Sequence, residues 1–181
     1  MFHVMFQYCP ECALKNIVFD GRKAHCPDCG FVYFHNVATA TGCVIYNGER
    51  VLMLVRGREP ALGKLDLPGG FVDPGEGVFE GLCRELKEEL GWEPPIKPEN
   101  SPASEVFTLF ASFANVYPYK GITYNTCDLF FYVLAPGLSE SDLCLEKDEI
   151  TSARFVRLSE INPDDLAFDS TRKAIKAFKE L

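Results

Sequence analysis

Three glutamates constrain this chain more than any other feature. Glu85, Glu88 and Glu89 stand at i, i+3 and i+4 within a stretch where Val78, Leu82, Leu86 and Leu90 recur at helical spacing. Gly91 follows directly and suits a left-handed C-terminal cap, and Pro74-Gly75 breaks the chain just before. The pattern predicts a helix from about Gly77 to Leu90 with all three carboxylates on one face. Like charges at that spacing cost about 0.2–0.5 kcal/mol per pair. Anions in the last turns also oppose the helix dipole, by roughly 0.3–1 kcal/mol each. A helix built for stability alone would carry Lys or Arg there. Carboxylates gathered against their own repulsion suggest a divalent cation, and an oxygen-only set suits Mg²⁺ or Mn²⁺. The bland alternative is a solvated acidic face, the usual fate of such a run.

A second metal signature lies near the start. Cys9-Pro-Glu-Cys12 and Cys26-Pro-Asp-Cys29-Gly30 are C-x₂-C knuckles separated by 13 residues. Each sets two thiolates on one tight turn, and two such turns make a tetrahedral four-sulfur site suited to Zn²⁺. A redox dithiol or a disulfide pair is the alternative, but two knuckles this close favour metal. So short a segment cannot bury a core of its own, so metal must hold it folded. His25 adjoins Cys26, but four sulfurs already complete the set. Cys43, Cys83, Cys127 and Cys144 are scattered and are expected to be buried free thiols.

Charge narrows the partners. With 18 Lys and Arg against 26 Asp and Glu, the net charge is −8. That disfavours nucleic-acid backbones and anionic membranes, which need positive fields. Residues 1–36 carry three acids and three bases, where a nucleic-acid-reading ribbon would be basic. This segment therefore reads as structural, or as a packing and dimerisation element, which leaves a homodimer open. No apolar run approaches the roughly 20 residues of a membrane span. Met1 to Cys9 lacks a basic n-region and a cleavage signature, so the expected location is cytoplasmic.

Along the rest of the chain, Val37–Tyr46 reads as a strand, Asn47-Gly48 as a type I′ hairpin turn and Val51–Val55 as the returning strand. Arg56 and Arg58 follow it, placed to reach a substrate phosphate or simply to solvate a strand end. Glu93–Ser104, with four prolines, reads as a loop. Val106–Val116 and Thr126–Leu134 read as long strands joined through a turn at Tyr117–Gly121. Phe107, Phe110, Phe113, Phe130, Phe131 and Tyr132 are expected in the sheet core. Tyr117, Tyr119 and Tyr124, nearer the turn, are candidates for stacking on a nucleobase. Ala153–Leu158 reads as a further strand, and Asp169-Ser170 as the cap of a final helix to Lys179.

Gly70, Glu76, Arg84-Glu85-Leu86, Glu88-Glu89 and Gly91-Trp92 together resemble the Nudix box, with no departure. Seven fixed positions at about 7% frequency make a chance match on the order of 10⁻⁸ per starting point. Arg56–Pro60 and Lys64–Gly70 also look like that family's approach to the box. The resemblance implies an α/β fold: a Nudix-type α/β/α sandwich around a mixed sheet at 37–181, preceded by a small zinc ribbon at 1–36. The ribbon-first order resembles the branch that includes NADH pyrophosphatases. It further implies Mg²⁺- or Mn²⁺-dependent hydrolysis of a nucleoside diphosphate linked to another moiety. Glu85, Glu88 and Glu89 would hold the metal at Gly70, Arg84 would orient the glutamates, and Glu149 would be a further ligand. Ser101-Pro102-Ala103-Ser104 lacks the Trp and Gln of NADH pyrophosphatases, and Val106–Phe110 lacks the proline of ADP-ribose hydrolases. ADP-ribose, NADH, nucleotide sugars and dinucleoside polyphosphates all stay open as substrates. The alternative from another class is a non-catalytic nucleotide sensor of the same fold.

Overall fold

The computed structural model describes residues 6–94 and 106–181. It divides into two compact units, Met1–Val37 and Ala38–Leu181. The greater part of the proline-rich loop expected at 93–104 lies outside the described residues.

The smaller unit is a three-stranded antiparallel sheet of β1 (Val18–Phe19), β2 (Lys23–His25) and β3 (Val32–Phe34). Its two knuckles are built alike. The Ala13 N–H donates to Cys9 O (2.9 Å) and the Gly30 N–H to Cys26 O (3.0 Å). Both closing residues have positive φ, 59° for Ala13 and 78° for Gly30. Phe6 packs edge-on against Tyr33 at 5.4 Å and Phe31 at 6.4 Å, and among the described residues of this unit Ala24 and the knuckle cysteines Cys9 and Cys26 are the buried apolar ones.

The larger unit is built on a six-stranded mixed sheet. Its strands are β4 (Ala38–Tyr46), β5 (Arg50–Arg56), β6 (Leu65–Asp66), β7 (Thr108–Tyr119), β8 (Ile122–Leu134) and β9 (Ile150–Arg157). The order is β6-β5-β4-β8-β7, with β9 also on β5. Alternation along the strands sends side chains to two faces. Cys43, Ile45, Leu52, Leu54, Phe131 and Val133 pack with Leu82, Leu86 and Leu90 of α1 (Val78–Leu90). Val44, Val51, Met53 and Phe130 pack with Ala174 and Ile175 of α2 (Asp169–Lys179). The sheet thus lies between two helices, the expected sandwich.

One departure from regular pairing makes the site. β4 pairs with β8 along its whole length but with β5 only at Tyr46–Val51. β5 pairs instead with β9. The edge of β4 left by this splay is taken by residues 68–72. Cys43 N–H donates to Pro68 O (2.9 Å), Thr41 N–H to Gly70 O (2.8 Å) and Val72 N–H to Thr39 O (3.0 Å).

Two turns differ from expectation. The first hairpin turns on Gly48-Glu49, one residue later than predicted, with Asn47 N–H donating to Arg50 O (3.1 Å). Only Gly48 has positive φ (113°), so the type I′ form, which needs two such residues, is absent. In the second, β7 runs on through Tyr117-Pro118-Tyr119, and the turn is Lys120-Gly121, at φ 47° and 81°. Pro118 is tolerated because β7 is an edge strand that leaves some N–H positions unpaired.

Candidate functional site

Helix α1 carries the acidic cluster and is fixed at both ends. Glu80 accepts the Gly77 N–H at 2.7 Å, half of a capping box, and Gly91 (φ 61°) closes the helix by donating to Lys87 O. Leu82, Leu86 and Leu90 are fully buried. Their phase turns Glu85, Glu88 and Glu89 toward the 68–72 segment, and all three line a cavity of about 770 Å³.

Arg84 organises the carboxylates. Its Nε and Nη2 donate to the two oxygens of Glu76 (2.8 and 3.1 Å), and Nη2 also donates to Phe71 O (2.9 Å). Nη1 donates to both Glu85 and Glu88, each at 2.9 Å. Glu76 had no role assigned from sequence; it is the anchor that aims Arg84, and the guanidinium holds its carboxyl below the ordinary range.

The cluster carries uncompensated negative charge. Glu89 is 8% exposed and accepts the Gly69 N–H at 2.8 Å. Burial pushes its carboxyl well above the ordinary range, against that hydrogen bond, and Glu85, Asp66 and Glu149 push further. Burial also raises Glu85 against the pull of Arg84. Such groups must take a proton or a cation. Oxygen donors, excess charge and access from a cleft fit Mg²⁺ or Mn²⁺. Gly70 is the floor: a Cβ there would lie 2.5 Å from the Glu85 carboxyl carbon. Its carbonyl already accepts from Thr41.

The other residues singled out from sequence divide. Glu149 lines the cleft and is ion-paired with Arg58; burial raises its carboxyl more than Arg58 lowers it. Arg56 lines the cleft too, held by Asp66 (3.1 Å) and Pro60 O (2.8 Å) with its guanidinium 5.0 Å from the Phe168 ring centre. Tyr117 lines the cleft, packed against Phe71 (5.4 Å) and Phe168 (5.5 Å). Tyr119 sits at the hairpin end beside Lys120 and is not part of the cleft wall. Asp66, Thr126, Asp128 and Phe168 also line the cleft and were missed. Of the four scattered thiols, Cys43 is buried, Cys83 and Cys127 half-buried, and Cys144 exposed. Cys144 corrects the expectation, because it lies in the irregular segment before β9 instead of in a core strand.

In the smaller unit the ligand atoms of Cys9, Cys12, Cys26 and Cys29 lie within 4.8 Å of one another. The Cys9–Cys29 and Cys12–Cys26 sulfurs are 3.6 and 3.7 Å apart. A tetrahedron with ~2.3 Å zinc–sulfur bonds needs ~3.8 Å edges, so the four sulfurs fit a zinc ion. His25 stands outside this set.

A partly buried acidic helix face, clamped by an arginine and backed by glycines on an α/β/α sandwich, is what a Nudix-type site would need. The NUDIX domain model matches residues 37–178, and the chain belongs to that family. It is 37% identical over 86 residues to the NAD-capped RNA hydrolase NudC of Chromobacterium violaceum, covering 47% of this chain and 32% of that protein. To the ADP-ribose pyrophosphatase of Methanocaldococcus jannaschii it is 34% identical over 86 residues, covering 43% and 50%. The matches thus span half or less of these relatives. A NUDIX hydrolase structure from Nitrosomonas europaea superimposes with a TM-score of 0.64 at 22% identity, covering 97% of this chain and 91% of that one. Among the described residues, no helix is long and apolar enough to cross a membrane.

Proposed function

We propose that this protein hydrolyses the pyrophosphate bond of a nucleoside diphosphate linked to another moiety. Glu85, Glu88 and Glu89, with Glu149 and the Gly70 backbone, would hold Mg²⁺ or Mn²⁺, and Cys9, Cys12, Cys26 and Cys29 a structural Zn²⁺. The observation that carries the reading is the gathering of Glu85, Glu89, Asp66 and Glu149 in one partly buried cleft, where burial first, and the neighbouring carboxylates after it, raise the Glu89 carboxyl well above the ordinary range. The divalent ion supplies positive charge for the phosphate oxygens and for activating water. Arg84 keeps Glu85 and Glu88 on the cleft side of the helix. A carboxylate of this group takes the proton of the attacking water. Gly69 and Gly70 keep the backbone low enough for the diphosphate to approach. Phe71, Tyr117 and Phe168 offer ring faces to a base. The two curated relatives are named for hydrolysis of NAD-capped RNA and of ADP-ribose, compounds that share a pyrophosphate joined to adenosine.

The test is turnover of ADP-ribose, NADH, a nucleotide sugar and a dinucleoside polyphosphate with Mg²⁺ or Mn²⁺. Wild-type protein should release a nucleoside monophosphate from at least one. Glu88→Gln and Glu89→Gln should lose about two orders of magnitude or more, with folding stability level or slightly raised. Wild-type protein that binds these nucleotides and cleaves none would leave the sensor reading in place of the enzyme.

A further inference from the structure

The cleft holds two polar groups that the chemistry above does not use. Thr126 and Asp128 stand two apart on β8, so they share a face, and both line the cavity. They are 3% and 8% exposed. Thr126 Oγ1 and Asp128 Oδ1 are enclosed without a hydrogen-bond partner among the described residues. Buried polar atoms are nearly always satisfied, and an unpaired carboxylate oxygen is the costliest to leave. The two arginines of the cleft are already engaged, Arg56 with Asp66 and Arg58 with Glu149. The room in front of the pair comes from β4, whose partners at these positions are Ala38 and Ala40.

The sheet register says what such a pair would meet. Asp128 pairs with Ala40, and Ala40 bridges to Phe71, the neighbour of Gly70. Two strand spacings, roughly 10 Å, separate Asp128 from the floor of the acidic cluster. That is too far to touch a pyrophosphate held there, and it is the reach of the nucleoside attached to it. Phe71, Tyr117 and Phe168 line the same cavity.

We propose that Asp128 and Thr126 form the recognition site for the nucleoside half of the substrate, taking adjacent O–H or N–H donors. The donors come from the ribose 2′,3′-diol or from a donor edge of the base. This inference rests on the nucleotide reading above. Where the ribose is the donor it also carries a selectivity: a carboxylate at this point repels a ribose phosphate, so 2′-phosphorylated nucleotides are excluded.

The experiment is calorimetric binding to the full chain with Mg²⁺, using wild type, Asp128→Asn and Thr126→Val. The probes are ADP, 2′,3′-dideoxy-ADP, 2′-phospho-ADP, GDP and CDP. Asp128→Asn should weaken ADP roughly 10- to 100-fold and, where the ribose is the donor, recover affinity for 2′-phospho-ADP. Its unliganded melting temperature should hold or rise, because the enclosed Oδ1 has no partner to lose; a merely structural residue would lose stability instead. If wild type binds dideoxy-ADP as weakly as the variant binds ADP, the donor is the ribose. If it binds dideoxy-ADP as tightly as ADP, the donor is the base. Both variants binding ADP, GDP and CDP within about twofold of wild type would overturn the proposal, and so would both failing to fold. Binding is read without turnover, so a protein that binds but cleaves nothing removes only the enzymatic reading. Normal turnover with unchanged variant affinities removes only this subsite.

Discussion

At the scale of single residues, the two glycines of the site make opposite predictions. A Cβ on Gly70 meets the end of the Glu85 side chain, which can move aside. Gly70→Ala should therefore fold normally and lose about 10²-fold in turnover through a displaced carboxylate. A Cβ on Gly69 would lie 2.2 Å from the Thr41 carbonyl, at a φ of 135°. Gly69→Ala should cost about 1–3 kcal/mol in a melt. Glu89 sets a pH dependence. Its folded-state carboxyl is held above the ordinary 4.5, so its contribution to stability is complete below 4.5 and is lost as pH rises through the folded value. Metal-free protein should melt lower as pH rises from 4.5. Mg²⁺ should raise the melting temperature more at high pH, and Glu89→Gln should flatten both trends. The glutamates stand out in the sequence because their spacing contradicts helix electrostatics, and the surrounding Gly70, Glu76, Arg84 and Gly91 pattern turns that oddity into a candidate site. Asp128 and Thr126 do not, since a polar residue every second position in an apolar strand normally points to water. Only cross-strand pairing with Ala38 and Ala40 turns that face into a cleft wall.

At the scale of elements, α1 is the part the sequence specified most fully. Its apolar period, Pro74-Gly75 and Gly91 located both ends, and the structure places them at Val78 and Leu90. Leu86 is fully buried beneath the acidic face. Leu86→Ala should cost about 2–5 kcal/mol in chemical denaturation and reduce turnover as the face loses its support. The β7–β8 hairpin was misread at its tip. Tyr117-Pro118-Tyr119 carries a residue that breaks most strands, and only the topology reveals that β7 is an edge. The consequence is functional, because extending β7 carries Tyr117 into the cleft wall while Tyr119 stays at the tip.

At the scale of the whole molecule, the small unit has, among the described residues, few buried apolar side chains and four converging sulfurs. Purified protein should contain about one zinc per chain. Cys12→Ser or a strong chelator should abolish the ordered structure of the ribbon, seen as loss of its dispersed amide resonances. The larger unit has a different vulnerability. Residues 68–72 occupy the edge of β4 that β5 abandons beyond Tyr46–Val51. The segment proposed to serve the chemistry is therefore also a plug over an interior strand. A chain that has not yet seated it presents a bare row of amides and carbonyls to any passing strand, the usual route to aggregation. Substitutions that unseat the segment, such as Gly69→Ala and unlike Gly70→Ala, should show themselves in the cell as insoluble protein before any loss of turnover is read. Fast hydrogen exchange at the amides of Thr41 and Cys43, ahead of those on the β8 side of the same strand, would reveal that unplugging directly.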